Sequence, residues 1–214
     1  MTFTRRDTLA LGAAATVLSL GGVSGASAQA GIQYDVARLM APSGLADHVL
    51  GAADAKVTVI EYASPTCPHC AAFSNDVYPQ FKAQYIDTGK VKFIVRPFVR
   101  NVLDAVVFML AEAAGPERYH AVVETYFKTQ PQWMASQNPR EAILGVAKQL
   151  GFTDESFNTA LENQALFTGM ESVRKQALDE FGLSGTPTFY INGKQLTGES
   201  TVEGLAAEID PLLA

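Results

Sequence analysis

Two cysteines separated by two residues, Cys67-Pro68-His69-Cys70, constrain the fold of this chain most, and the chain has no other cysteine. Residues 56–62, just before them, are rich in β-branched and aromatic side chains and predict a buried strand. Just after them, apolar residues recur at helical spacing, at Phe73, Val77, Phe81 and Tyr85. The sequence therefore places the cysteine pair where a strand is followed by the start of a helix.

A helix start changes the chemistry of the first cysteine. Its free backbone N–H groups and the positive end of its dipole favour a thiolate, and Pro68 suits the first helical position because that position needs no N–H. The dipole contributes at most about 2 kcal/mol, and one pKa unit corresponds to about 1.4 kcal/mol. A large decrease in pKa therefore requires help from His69 and the local amides. We predict that Cys67 is an exposed nucleophile with a low pKa and that Cys70 is the resolving thiol, which makes their disulfide a strong oxidant.

Two alternatives to a redox role stay open. In the first, the pair is half of a zinc site, although the chain has no second C-x-x-C and only His48 and His120 besides His69. In the second, the disulfide is a structural staple, although a bridge across so few residues stabilises a fold by only about 2 kcal/mol in the entropy model. We favour the redox role over both.

Glu61 lies in the predicted strand, on the same face as Val57 and Val59. If this strand is central in a parallel sheet, both of its faces are buried and Glu61 is an interior carboxylate. The alternative is a solvent-facing glutamate on an edge strand. As a buried acid, Glu61 would take and return the proton of Cys70 during thiol exchange, with a pKa raised by the loss of water.

Residues 1–28 have the pattern of an export signal. Arg5 and Arg6 form a short positive region, an apolar run covers residues 9–20, and residues 26–28 match a small-residue cleavage site. An uncleaved anchor is the alternative, although the apolar run is short for a membrane span. The leader fits either the Sec or the twin-arginine route. Export predicts a periplasmic location, where disulfides form and persist.

The rest of the chain predicts an α/β fold with a helical insertion. Residues 29–99 and 183–214 have the pattern of one domain, with β-α-β and β-β-α units, and residues 100–182 interrupt it with a wholly helical pattern. The hydrophobic content of 48% supports a packed core, while the net charge of −6 and the lack of a basic stripe argue against nucleic-acid binding. We expect no cofactor and no metal.

Local features refine this prediction. Pro79 lies inside the helix after the cysteines and should kink it, and Pro116 is expected to open a later helix. Trp133 is expected to be a packing residue between two helices. Asn192-Gly193 predicts a hairpin turn, and Ser200-x-x-Glu203 predicts a capping box for the final helix.

The order of these elements resembles the thioredoxin fold, and Gly185-Thr186-Pro187-Thr188 before the hairpin is its second mark. In that superfamily the proline at this place is cis and lies beside the cysteine pair. The export leader, the Cys-Pro-His-Cys motif, a glutamate six residues before the first cysteine and the helical insertion make the chain resemble the DsbA family of thiol:disulfide oxidoreductases. The resemblance covers nearly all of residues 45–214.

The resemblance also implies roles for single residues. Cys67 forms the mixed disulfide with the substrate, Cys70 is the exit thiol and His69 tunes Cys67. Glu61 matches the buried acid. Pro187 matches the cis-proline, and the backbone of Thr186 pairs with an incoming substrate strand. The implied partners are unfolded exported proteins that contain cysteines and a membrane reoxidant similar to DsbB.

One departure from the family pattern leaves the direction of the reaction open. The best-known oxidases have valine before the cis-proline, whereas Thr186 resembles the disulfide isomerases and reductases. The short segment before the first strand, with no long dimerisation domain of the isomerase kind, favours an oxidase. We therefore expect an enzyme that introduces disulfides, with an isomerase or reductase as the alternative. A non-catalytic metal-binding or peptide-holding module is the third hypothesis.

Overall fold

The structure of the protein is a computed structural model that describes residues 31–41 and 43–214. The predicted export signal, residues 1–28, lies outside the described residues.

A mixed sheet of five strands forms the centre of this described part. The strands are β1 Val49–Leu50, β2 Val57–Ala63, β3 Val91–Pro97, β4 Thr188–Ile191 and β5 Lys194–Gln195. Their order is β1-β3-β2-β4-β5, with β2 parallel to β3 and antiparallel to β4. The strand before the cysteines is therefore central, as predicted, but in a mixed sheet rather than a parallel one.

Most of the helices lie between β3 and β4. The α-helices are α1 Val36–Met40, α2 Pro68–Ala72, α3 Tyr78–Phe81, α4 Val102–Ala113, α5 Tyr119–Lys128, α6 Gln130–Met134, α7 Pro139–Gln149, α8 Asp154–Leu161, α9 Gln164–Glu180 and α10 Val202–Leu213. Helices α4 to α9 interrupt the β-α-β and β-β-α order. The predicted α/β fold with a helical insertion is confirmed.

The helix after the cysteines alternates between α and π turns. A π-helical segment, Phe73–Val77, joins α2 to α3, and a second one, Lys82–Ile86, follows α3. Pro79 lies in the first turn of α3. Proline has no N–H and its ring crowds the preceding turn, so the wider π turn before α3 accommodates it.

Two apolar clusters cover the two faces of the sheet. The larger contains Val57 and Val59 of β2 and side chains of the helical insertion. The smaller contains Ile60 and Tyr62 of β2 and residues of α1 and α9. Successive residues of β2 therefore point into different clusters, and Glu61 lies on the face of the larger one.

Several local predictions were wrong in detail. β1 was not predicted, because two residues carry no periodic pattern. Thr201, not Ser200, caps α10, since its hydroxyl accepts a hydrogen bond from the backbone of Gly204 at 3.1 Å. Trp133 is fully buried, as expected of a packing residue, but it lies on α6 rather than between helices.

The helix expected to open at Pro116 begins at Tyr119, after a turn. In the described part of the chain, every helix is too short or too polar to cross a bilayer.

Candidate redox site

The cysteine pair lies at the start of α2, with Cys67 as the residue before the first helical turn and Pro68 at the helix start. Both cysteines are free thiols. Cys70 is fully buried and Cys67 is only 3% exposed. The prediction of an exposed Cys67 was therefore wrong: the loop before β4 lies against its sulfur, and Sγ is 3.2 Å from the carbonyl oxygen of Thr186.

The two thiols are held in opposite protonation states. A hydrogen bond from the Cys70 thiol is the largest cause that lowers the pKa of Cys67 to about 4. Burial opposes this decrease, while the Thr186 side chain and the backbone N–H groups of Cys70 and His69 add to it. Burial, and then the bond to Cys67, raises the pKa of Cys70 well above its ordinary value. At neutral pH the first sulfur is therefore a thiolate and the second a thiol.

His69 and Pro68 both have exposed side chains. The backbone N–H of His69 helps to lower the pKa of Cys67. Within residues 31–41 and 43–214, no hydrogen bond joins the imidazole of His69 to another group. The described contact between His69 and Cys67 is thus made by the backbone amide of His69. We expected either the His69 side chain or the local amides to lower the pKa of Cys67 further than the helix dipole can.

Glu61 is buried in the middle of β2, with 3% of the residue exposed. Its neighbours on the adjacent strands are apolar, Val95 on β3 and Phe189 on β4. Burial, and then the nearby Cys67 thiolate, raises the pKa of Glu61 to about 8. Its Oε1 is buried without a hydrogen-bond partner. Glu61 also contributes to the raised pKa of Cys70, which places it close to the resolving thiol.

Thr186 and Pro187 are joined by a cis peptide bond and are half-buried. The family resemblance implied that these two residues lie beside the cysteines, and the contact between Cys67 and the Thr186 carbonyl agrees with that placement. The Thr186 hydroxyl oxygen is buried and makes no hydrogen bond of normal geometry. It still lies near enough to the sulfur to help lower the pKa of Cys67.

Sequence reasoning missed Asp104, a fully buried carboxylate on α4. It accepts hydrogen bonds from the Ser64 hydroxyl at 2.9 Å, from the Thr66 backbone at 2.8 Å and from the Arg100 backbone at 2.9 Å. The Arg100 side chain also donates to the Ser64 hydroxyl at 2.9 Å. This network fixes the loop that leads into Cys67. The only signal in the sequence was an acidic residue in the first turn of a mainly apolar helix.

Gln130 was missed as well. It begins α6 and is buried, and its Nε2 donates to the carbonyl oxygens of Pro65 at 2.6 Å and Cys67 at 3.0 Å. A residue of the helical insertion thus holds the loop on the thioredoxin-like part of the chain. No sequence pattern marks such a contact. Among the residues that the structure describes, no group of three or more His, Cys, Asp or Glu side chains is arranged to hold a metal ion.

Known protein families and solved structures share this architecture. The family model described as thioredoxin matches residues 44–211, so the chain belongs to the thioredoxin family. Within that family its likeness is to DsbA proteins. The structure of α-DsbA1 from Wolbachia pipientis superimposes with a TM-score of 0.73 and 26% identity, over 78% of this chain and 90% of that one. The predicted resemblance to the DsbA family is confirmed.

Relatives in sequence carry related names. Disulfide bond formation protein D of Bacillus subtilis is 30% identical, over 72% of this chain and 71% of its own length. A protein of Rickettsia bellii, named as a candidate protein-disulfide oxidoreductase, is 31% identical over 77% of this chain. The match spans only 63% of that Rickettsia protein.

Proposed function

We propose that the protein is a thiol:disulfide oxidoreductase that passes the Cys67–Cys70 disulfide to reduced proteins. The observation that carries this proposal is the pair of opposite pKa shifts at one helix start, a lowered pKa at Cys67 and a raised one at Cys70. A structural disulfide has no need of such an asymmetry, whereas thiol exchange needs one sulfur that leaves as a thiolate.

The exchange follows from this geometry. A substrate thiolate attacks Sγ of Cys67, the Cys67–Cys70 bond breaks, and the Cys70 sulfur leaves with the electron pair. Because the pKa of Cys70 is strongly raised, the leaving thiolate takes a proton at once. Glu61 is the nearby acid that can give this proton. A second substrate thiolate then attacks the substrate sulfur of the mixed disulfide. Cys67 leaves as a stable thiolate, and the substrate holds the disulfide.

The direction that we favour is oxidation. Stabilising the Cys67 thiolate stabilises the reduced protein, so the disulfide is easily given away. The alternative is an isomerase or reductase that works from the reduced state. Thr186 is the specific feature that favours this alternative, because threonine before the cis-proline resembles the isomerases and reductases rather than the best-known oxidases.

Location and partners form part of the same proposal. The export pattern of residues 1–28 supports a periplasmic protein whose substrates are unfolded exported chains with cysteines. A DsbB-like membrane protein is the proposed reoxidant.

The test is an oxidation assay with the chain that begins at Gln29. The oxidised protein is mixed with a reduced, unfolded protein that has several cysteines, and disulfides are counted by mass tagging. We expect stoichiometric transfer that Cys67→Ser abolishes. In parallel, scrambled substrate is given to the reduced protein. Faster repair of scrambled disulfides than oxidation of thiols would favour the isomerase.

A non-catalytic module would instead bind stoichiometric zinc or copper, or hold unfolded chains without transferring disulfides. That holding activity would survive Cys67→Ala.

A further inference from the structure

A small cavity lies beside Glu61, between β2, β3, α5 and the helix after the cysteines. Its polar lining consists of Glu61, Ser74, Tyr78, His120 and Glu124, and the rest is apolar. It leaves about 10 Å³ for the centre of a water molecule, which is close to the room that a single water needs.

Two buried polar atoms at this cavity have no hydrogen-bond partner, Oε1 of Glu61 and the hydroxyl oxygen of Tyr78. Buried polar atoms in folded proteins are nearly always paired, with protein groups or with ordered water. One water in the cavity can accept from protonated Glu61 and donate to the Tyr78 oxygen. The two atoms thus define a site for that water.

The far wall of the cavity separates it from solvent. Ser74, Tyr78 and Glu124 line both the cavity and an open groove of about 510 Å³ on the other side. Lys82 and Lys128 also line this groove. Glu124 is half-buried, and its pKa is raised by burial and lowered by Tyr78 and by Lys82. Glu124 also raises the pKa of Tyr78, after the larger effect of burial, so the two side chains lie close together.

We propose that Tyr78 and Glu124 form a proton relay between Glu61 and the open groove, completed by one water molecule in the cavity. This inference rests on the proposed function, since it states how the proton that Cys70 gives or takes reaches solvent. Neither Tyr78 nor Glu124 is among the groups that shift the pKa of Cys67 or Cys70. They act through Glu61.

The proton balance of reoxidation shows where the relay is needed. In the mixed disulfide at Cys67, Cys70 is a thiol and Glu61 must first be a carboxylate. Burial raises the pKa of Glu61 and so favours the protonated acid, whose proton must leave first. It passes to the water, the water gives a proton to the Tyr78 oxygen, and the Tyr78 hydroxyl gives its own to Glu124. Glu61 then takes the proton of Cys70, the Cys70 thiolate attacks Sγ of Cys67, and the partner sulfur leaves as a thiolate.

Other titratable groups around the cavity fit this route less well. His120 is buried, its pKa is lowered chiefly by burial, and its Nε2 is held by the carbonyl oxygen of His48 at 2.8 Å. It does not line the open groove. Cys67 and Cys70 do not line the cavity, and Glu61 is the lining residue that interacts with both of them.

The test follows closure of the mixed disulfide between Cys67 and glutathione in the chain that begins at Gln29. Reduced protein reacts with oxidised glutathione, and samples are quenched in acid and mass-tagged. Tyr78→Phe keeps the ring and Glu124→Gln keeps the size. We expect each to slow closure by about tenfold at pH 7, below the roughly 10²–10⁴-fold range of general acid–base catalysis. Tyr85→Phe is the matched control, since that hydroxyl lies on the same helical run but donates to Asp210 at 2.9 Å.

Two further readouts separate a relay from a structural role. In a series relay the double variant Tyr78→Phe/Glu124→Gln is no slower than the slower single variant, and neither change has an effect in a Glu61→Gln background. A relay also leaves the equilibrium with glutathione unchanged, whereas altered packing shifts it. Closure at the wild-type rate in Tyr78→Phe, additive slowing or a shifted equilibrium would each overturn the relay alone. A wild-type protein that forms no mixed disulfide would overturn the proposed function and the relay with it.

Discussion

Replacing Glu61 by glutamine should change how the stability of the protein depends on pH. The folded protein holds Glu61 at a pKa of about 8, against an ordinary value of 4.5, because burial opposes its charge. Between these two values the folded state binds one proton more than the unfolded state. Stability contributed by the neutral acid is therefore complete below pH 4.5 and is lost as the pH rises through about 8. Glutamine has nearly the same shape and cannot lose a proton.

The magnitude follows from the size of the shift. The wild type loses about 1.4 kcal/mol per pH unit relative to Glu61→Gln over this window. The two proteins should be equally stable near pH 4, and the variant should be more stable by about 3 kcal/mol at pH 7 and by more at pH 8.5. Both proteins are compared in the reduced state, so that the effect of Cys67 titration on stability is the same in each and drops out of the difference.

The assay is urea unfolding at several values between pH 4 and pH 8.5, with Glu117→Gln as a matched control on the exposed surface. The control should track the wild type at every pH. A difference between wild type and Glu61→Gln that does not grow with pH would refute the argument, because it would mean that Glu61 is ionised or solvated in the folded protein. It would also remove the proton source that exchange at Cys70 requires.

Three other substitutions test contacts around the pair. Thr186→Val replaces a buried hydroxyl that lacks a hydrogen bond, so it should raise the free energy of unfolding of the oxidised protein by about 1 kcal/mol. It should also raise the pKa of Cys67, because the Thr186 side chain helps to lower it. A lower melting temperature in calorimetry would contradict the expected gain in stability. Asp104→Ala removes the acceptor of three donors, in Ser64, Thr66 and Arg100, and should cost about 3 kcal/mol in urea unfolding. A loss within error would mean that the network is dispensable. Gln130→Leu removes the side-chain donor to the carbonyl oxygens of Pro65 and Cys67, so it should cost about 2 kcal/mol and shift the redox equilibrium with glutathione. An unchanged equilibrium would show that the helical insertion does not tune the pair.

The elements that carry the cysteines were predictable because their signals are local. The strand over residues 56–62, the start of the helix at Pro68 and the hairpin at Asn192-Gly193 each follow from a pattern within about ten residues. The depth of Glu61 followed from the same strand once it was placed at the centre of a sheet. The cis proline depended on the family resemblance rather than on the chain's own pattern.

The residues that complete the site were not predictable, because they meet the cysteines across long stretches of chain. Asp104 bonds to Thr66 across 38 residues, and Gln130 bonds to the carbonyl of Cys67 across 63. Nothing in the spacing of a single sequence records such contacts. The predicted exposure of Cys67 was wrong for the same reason. A nucleophile at a helix start is expected to be accessible, but the distant Thr186 loop folds against it.

The predicted capping residue of the final helix was wrong for a different reason. Ser200 and Thr201 both precede the final helix, and the one-residue choice between them depends on where the chain enters the helix from the hairpin.

The measurement that tests this account most directly is the titration of the Cys67 thiolate. Thiolate absorbance near 240 nm is followed from pH 3 to pH 9 in the reduced protein, with Cys67→Ser as the blank. We expect one thiolate with a midpoint near the pKa of about 4, absent from Cys67→Ser, and no second thiolate from Cys70 below pH 9. A single transition close to 8.5, the ordinary pKa of a cysteine, would contradict it, because Cys67 would then be no better a leaving group than any other cysteine.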